Sequence, residues 1–313
     1  IAFGPVPSRR LGISLGINNI PPKICTYACV YCQLGRAIKM QTSRQAFYSP
    51  TEIGKSVRKK VEKIYAQGGH IDYLTIVPDG EPTLDILLSE QIKALRPLDI
   101  KIAVITNGSL LYREEVRDAL SLADWVSVKV DCVIPEIWRR LDHPYKGLEL
   151  GEILEGIQAF AQVFTGRLVT ETMLVRGLND EDSCLEESAS FIQGLSADTS
   201  YLSIPTRPPA DSRVLPPDEG QINRAFQVFS NRLKKVEYLI GYEGNEFSST
   251  GDIREDVLGI TSVHPMRADA IDALLQRYQG DWAEIKELVN KGDLIETSFS
   301  GYTFYVRALK KKA

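Results

Sequence analysis

Three of the chain's five cysteines fall on one short stretch, ICTYACVYCQLG, as Cys25, Cys29 and Cys32, with Tyr31 directly before the last. Thiolates crowded in this way are ligands for a soft metal centre. Three of them do not complete a structural zinc site, which takes four protein ligands. A catalytic zinc would draw on histidines, of which the chain has only His70, His143 and His264. A 4Fe-4S cluster fits better: thiolates are its usual ligands, and three of them leave one iron free to bind something else. Cys132 and Cys184 lie far off in separate elements, lack the spacing to share a cluster, and read as small buried thiols. An odd number of cysteines so distributed is no disulfide framework and points to a reducing compartment.

The elements that must hold this loop follow a βα rhythm. Short β-branched runs begin with LGISLGINNI (Leu11 to Ile20), just before the cysteines, and continue through YLTIV, IKIAVIT, WVSVKVD, RLVTETMLV and SYLSI, with an extra strand at VEYLI. Between them lie helical patterns such as Thr51 to Ala66, where Ile53, Val57, Val61, Ile64 and Tyr65 mark one apolar face and Gly68-Gly69 supplies the stop. Strands separated by such helices predict an α/β fold with parallel pairing and right-handed crossovers, a partial (β/α)6 barrel with its chemistry at the C-terminal strand ends. This barrel is expected over 1–242. A polar stretch at 243–257 reads as a linker. Beyond it, 258–313 shows two helices and a hairpin about Ser300-Gly301, a winged-helix-like unit.

Bulk composition excludes several classes. A chain of 313 residues with 43% hydrophobic and 25% charged content is globular rather than disordered. No run approaches the ~18 to 20 apolar residues of a membrane helix, and the N-terminus IAFGPVPSRRLG lacks a signal peptide's pattern, so a cytoplasmic protein is expected. A net charge of -4 argues against a general nucleic-acid binder but leaves room for a local basic patch.

The spacing C-x-x-x-C-x-x-C, with aromatic Tyr31 before the third cysteine and the loop just after the first strand, resembles the signature of the radical S-adenosylmethionine (SAM) superfamily. The resemblance implies one 4Fe-4S cluster on Cys25, Cys29 and Cys32, with SAM on the open iron. A one-electron reductant such as flavodoxin or ferredoxin would drive cleavage of SAM to a 5′-deoxyadenosyl radical. Further matches stand at successive strand ends. In PDGEPTL, Gly80, Glu81 and Pro82 resemble the element that accepts from the methionine ammonium. ITNGSLL offers Thr106 and Asn107, which also fit a plain Asn-Gly turn. In VSVKVD, Lys129 and Asp131 match positions that contact the ribose hydroxyls or the methionine carboxylate. MLVRGLNDED, with Leu174, resembles the adenine-pocket segment, and SIPTRPPAD brings Pro205, Thr206 and Arg207 toward cofactor or substrate.

Within the superfamily the N-terminal half looks most like the iron-sulfur oxidoreductases that include 4-demethylwyosine synthase, which modifies tRNA. It departs from them in lacking cysteines for a second cluster. Three readings follow: a radical enzyme acting on tRNA or other RNA, one acting on a metabolite, peptide or protein, and a metal-containing nucleic-acid-binding regulator. In the C-terminal unit Tyr302, Phe304 and Tyr305 suit stacking on bases or packing of the unit's own core. DWAEIKELVNKG, with Asp281, Glu284 and Glu287 against Lys286 and Lys291, would repel phosphates, which weakens the regulator reading.

Overall fold

A computed structural model describes residues 1–240, 252–261 and 265–308. The chain begins with an antiparallel hairpin, β1 (Ala2–Ser8) and β2 (Gly12–Ile17). The two-residue strands β3 (Ile24–Cys25) and β4 (Lys39–Met40) then pair with each other at the ends of the cysteine loop. Helices and strands alternate from there: α1 (Pro50–Ala66), β5 (Tyr73–Ile76), α2 (Leu88–Leu95), β6 (Lys101–Thr106), α3 (Glu114–Leu120), β7 (Trp125–Lys129), α4 (Pro135–Asp142), α5 (Leu150–Val163), β8 (Arg167–Met173), α6 (Asp182–Leu195), β9 (Thr199–Ser203), α7 (Glu219–Ser230) and β10 (Val236–Leu239). Helix α1 starts where Ser49 and Glu52 form a reciprocal capping box ahead of Pro50.

The large sheet runs β1-β2-β5-β6-β7-β8-β9-β10, and every pairing from β2 onward is parallel. Side chains alternate along each strand. Leu15, Ile17, Leu74, Ile76, Ile102, Val104, Val126, Val128, Leu168 and Leu202 enter the main core with the helices. Phe3, Ser14, Thr75, Ile105, Lys129, Glu171, Ser203 and Leu239 line one cavity on the other face. Residues of the first and last strands share a cavity only if the sheet curls, so the architecture is an open half-barrel with its helices outside. Leu11, Ala103, Trp125, Val169 and Tyr201 close its floor with apolar side chains.

The seven expected strands are present, and β1 is an addition. Gly4, Pro5 and Pro7 disguise it, since proline is tolerated on an edge strand but reads as a break. Its Phe3 lies flat over Gly16, where a Cβ would stand 2.0 Å from the ring.

Past the barrel, α8 (Ile253–Thr261), β11 (Met266–Arg267), α9 (Ala268–Tyr278), α10 (Trp282–Asn290), β12 (Leu294–Phe299) and β13 (Tyr302–Arg307) build a unit with its own apolar core and the antiparallel sheet β11-β13-β12. The linker expected over 243–257 is corrected in its second part. From Ile253 the chain is helical, because Ile253, Val257 and Ile260 form a stripe that packs into this core. Residues 243–251 lie outside the described ones. Helix α8 covers the β1 edge: Val6 joins the unit's core, and Lys60 of α1 reaches Asp256 at 3.2 Å, where the Tyr278 hydroxyl also donates. No helix among the described residues is long and apolar enough to cross a membrane.

Candidate active site

The cysteine loop hangs between two neighbours. On one side Gly80 approaches Ile24 so closely that a Cβ would fall 2.0 Å from the Ile24 carbonyl oxygen; its φ of +151° is one only glycine adopts readily, and Glu81 N–H donates to the same oxygen at 3.1 Å. On the other side the Ala28 and Val30 N–H groups donate to the Asp142 and Leu141 carbonyls at 3.0 and 2.9 Å, anchoring the loop to the end of α4. Cys32 N–H closes a turn onto the Cys29 carbonyl at 3.1 Å.

All three thiols are half-buried. Burial pushes Cys25 up to about 12, with Glu81 adding to the rise; it also raises Cys29, beside Asp142, and Cys32. As bare thiols these groups stay protonated, and a cationic centre among them is what would hold them as thiolates. No His, Cys, Asp or Glu side chains among the described residues converge as a set able to hold one metal ion. A cluster does not ask that of them, since each thiolate takes a different iron. The all-thiol donor set, with no fourth protein ligand on the loop, therefore suits an iron-sulfur cluster.

Glu81 is 1% exposed and committed inside the protein. Its carboxylate accepts from Thr83 N–H at 3.1 Å, from the Thr83 and Thr106 hydroxyls at 2.6 Å each, and from Asn107 N–H at 2.8 Å. Asn107 in turn donates to Thr26 Oγ1 at 2.8 Å and lies 3.7 Å from Cys25 Sγ. The expected ammonium acceptor thus also couples the ends of β5 and β6 to the first cysteine. Pro82 is buried and its carbonyl accepts from Asn19 at 3.1 Å.

A second network fills the barrel wall. Lys129 Nζ lies 3.6 Å from Glu171 and 3.9 Å from Asp131, and 4.6 Å from the centre of the Tyr31 ring. Burial opposes its charge, but the two carboxylates outweigh burial and hold the ammonium above its ordinary value. Burial likewise opposes ionisation of Glu171, yet Lys129 and Arg10 together bring its carboxyl down to about 2. The Tyr31 hydroxyl donates to Asp131, and Asp142 lies 3.1 Å away. Lys129 was expected to seek a cofactor carboxylate; the protein already supplies it with two.

The cavity inside the half-barrel, about 320 Å3, is lined by Tyr31, Cys32, Lys129, Pro205, Thr206 and Arg207 from the expected set. Arg207 donates to Gln33 on the cysteine loop at 2.8 Å. Asn107 and Asp131 open instead onto a much smaller cavity with Tyr31, Lys129 and Cys132. Leu174 lines neither: it is 1% exposed in the core, and its N–H donates to the Ser203 carbonyl at 2.8 Å. Sequence reading missed Arg10, Glu171 and Asp79. Arg10 reaches Glu171 at 2.5 Å and lies over the Trp125 and Tyr201 rings. Asp79 is buried, and desolvation raises its carboxyl to about 7 with Lys23 countering. Glu171 did carry a signal, a lone carboxylate in the strand RLVTETM.

Outside the barrel, beside the same loop, a groove of about 860 Å3 is lined by Arg36, Arg139, Arg140, Arg176, Arg213 and His143 together with Ala28 and Val30. Asp211 is its acidic member and pairs with Arg213 at 2.7 Å. An adjoining depression adds Tyr145 and Lys146. The C-terminal unit offers less than expected. Phe304 and Tyr305 are 1% and 7% exposed; as neighbours in β13 they point to opposite faces, and both faces are covered there, Tyr305 joining the unit's core. Tyr302 is exposed, with the Arg267 guanidinium 3.7 Å over its ring. On α10, Glu287 pairs with Arg254 and Lys291. The lysines at 310–312 and His264 lie outside the described residues.

Residues 19–188 match the family model described as the Radical SAM superfamily. The chain is 45% identical to the UPF0026 protein MJ1312 of Methanocaldococcus jannaschii over 314 residues, covering 100% of this chain and 97% of that one. Among solved structures, a radical SAM methyltransferase from Sphaerobacter thermophilus matches with a TM-score of 0.54 at 16% identity, covering 72% of this chain and 66% of that one. TYW1 with a lysine-pyruvate adduct bound matches with a TM-score of 0.50 at 18% identity, covering 70% and 74%. At these identities the structural likeness is one of fold.

Proposed function

Because the chain belongs to the radical SAM superfamily and is an enzyme of that class, we propose that Cys25, Cys29 and Cys32 hold one 4Fe-4S cluster with SAM at its open iron, and that the substrate is RNA, tRNA in the first place. Bound there, the cluster and SAM would supply a 5′-deoxyadenosyl radical, the electron coming from an external flavodoxin- or ferredoxin-like reductant. The chain's own residues position and shield. Gly80 and Asn107 seat Cys25, Tyr31 ties the loop to Asp131 and Asp142, and the floor of Leu11, Trp125 and Tyr201 closes the bottom of the half-barrel to water. We place SAM in the cavity lined by Tyr31, Cys32, Lys129, Pro205, Thr206 and Arg207; Gly80, Glu81, Pro82, Thr106, Asn107 and Asp131 back its wall, and Leu174 supports it from the core. Glu81 and Lys129 act there mainly through the internal bonds they already make.

The observation that carries the RNA assignment is the arginine groove beside the cysteine loop. A chain of net charge -4 that gathers Arg36, Arg139, Arg140, Arg176 and Arg213 around Ala28 and Val30 offers a backbone of phosphates a seat next to the reacting centre. We read the C-terminal unit as a winged-helix-like domain, a reading supported by its helices α8 to α10 followed by the β12-β13 hairpin. We take its start at α8, with the barrel over 1–242, and the enzyme as cytoplasmic.

The test measures binding of bulk tRNA against salt concentration and RNA-dependent release of 5′-deoxyadenosine. Wild-type binding should weaken steeply with salt, and Arg139→Ala/Arg140→Ala/Arg176→Ala should lose at least about tenfold in affinity. A second reading has its own observation, the half-barrel cavity of about 320 Å3, whose far side, lined by Phe3, Val6, Arg10 and Leu239, is of a size for a small molecule beside the cofactor. Stimulation of turnover by a metabolite extract, with no RNA binding, would select it.

A further inference from the structure

Cys132 and Cys184 are 52 residues apart, yet their Sγ atoms lie 2.7 Å from each other. Both are buried thiols, as expected from the sequence, and their adjacency is what the sequence did not show. Cys132 follows Asp131 just past the end of β7, and Cys184 sits in the first turn of α6. The β7-β8 pairing and the packing of α6 on α5 bring the two elements together, which no local pattern reveals. Both residues are buried, at 3% and 1% exposure. Ile134 N–H donates to Cys132 Sγ at 3.3 Å, so the sulfur is held in place from the backbone side as well.

We propose that Cys132 and Cys184 form a disulfide that fastens the end of β7 to the start of α6. Both S–H bonds are lost and one S–S bond forms. Two electrons and two hydrogens pass to an external disulfide, small-molecule or protein, whose own S–S bond breaks to give two thiols. Once one sulfur has exchanged with that external disulfide, the other lies close enough to displace the external thiol and close the bond. The crosslink spans the wall of the site. Asp131, next to Cys132, accepts from Met173 N–H at 2.7 Å and from the Tyr31 hydroxyl. Asn179, shortly before α6, donates to the Asp131 and Met173 carbonyls at 2.8 Å each. The disulfide therefore clamps the strand end that orients Tyr31 to the segment carrying Leu174.

The experiment uses the full chain without iron, so it stands apart from the cluster reading. Protein purified without thiol reductants is denatured in chelator, alkylated and digested, before and after exposure to oxidised glutathione. Cys25, Cys29 and Cys32 should be alkylated, and the peptides bearing Cys132 and Cys184 should appear joined, two hydrogens lighter than their sum. A phosphine reductant should lower the Tm of the folded chain by on the order of 10 °C, and Cys132→Ala/Cys184→Ala should melt at one temperature with or without it. Five alkylated cysteines under both conditions would overturn the proposal, as would pairing of Cys132 or Cys184 with a cysteine of the loop.

Discussion

Lys129 on β7 and Glu171 on β8 are register partners whose side chains meet inside the barrel, Nζ to Oε1 at 3.6 Å, in the wall of the cavity that Cys32 also lines. Glu171 is shared, since Arg10 holds its other oxygen at 2.5 Å, and Lys129 also serves Asp131. Removing the lysine leaves Asp131 buried beside a second carboxylate. Lys129→Met should therefore cost about 3 kcal/mol. A double-mutant cycle with Glu171→Gln, read by urea unfolding, should return a coupling of about 1 kcal/mol or more. Additive single effects would show that the pair is not an energetic unit.

Acid stability carries the same carboxylate. Glu171 falls from the ordinary 4.5 to about 2 in the folded chain. Between those values the unfolded state binds a proton that the folded state does not, so stability rises with pH across this window. The contribution is complete above about 4.5 and lost as pH falls through about 2, some 3 kcal/mol in order of magnitude. Glu171→Gln should flatten this limb of the stability-pH curve, and an unchanged limb would assign acid unfolding elsewhere.

The seat of the cysteine loop is tested at Gly80 and Glu81. Gly80→Ala forces a Cβ to 2.0 Å from the Ile24 oxygen and should cost at least about 2 kcal/mol, with poor iron retention after reconstitution. Glu81→Gln places an amide N–H among donors from Thr83, Thr106 and Asn107, a loss of about 2 kcal/mol. It should release Asn107 from Cys25. Iron per chain and Tm, measured together, separate a loosened loop from global unfolding. Full iron retention in both variants would contradict the role given to this seat.

What the sequence made legible was what has a local period or spacing. The parallel strands show β-branched runs, α1 shows a 3.6-residue stripe, and Cys25, Cys29 and Cys32 sit within one loop. Strand β1 was hidden by Pro5 and Pro7, whose cost vanishes at a sheet edge. Partnerships across the fold were hidden as well: Arg10 with Glu171, 161 residues apart, and Cys132 with Cys184 depend on strand order and curl. The hairpin aromatics were ambiguous for the opposite reason. Tyr302 and Phe304 share one face of β13 and Tyr305 takes the other, yet it is Phe304 and Tyr305 that are covered while Tyr302, beside the turn, is exposed, an outcome that alternation alone does not decide.

The central claim is that three cysteines hold one cluster that cleaves SAM. Chain reconstituted anaerobically with iron and sulfide is given SAM and a strong reductant, and iron content and 5′-deoxyadenosine are measured on the same sample. About four irons per chain are expected, with 5′-deoxyadenosine released slowly without substrate. Cys25→Ala, Cys29→Ala and Cys32→Ala should each abolish release, while Cys132→Ala/Cys184→Ala keeps both iron and release. Wild-type chain that carries its iron and releases no 5′-deoxyadenosine would contradict the account.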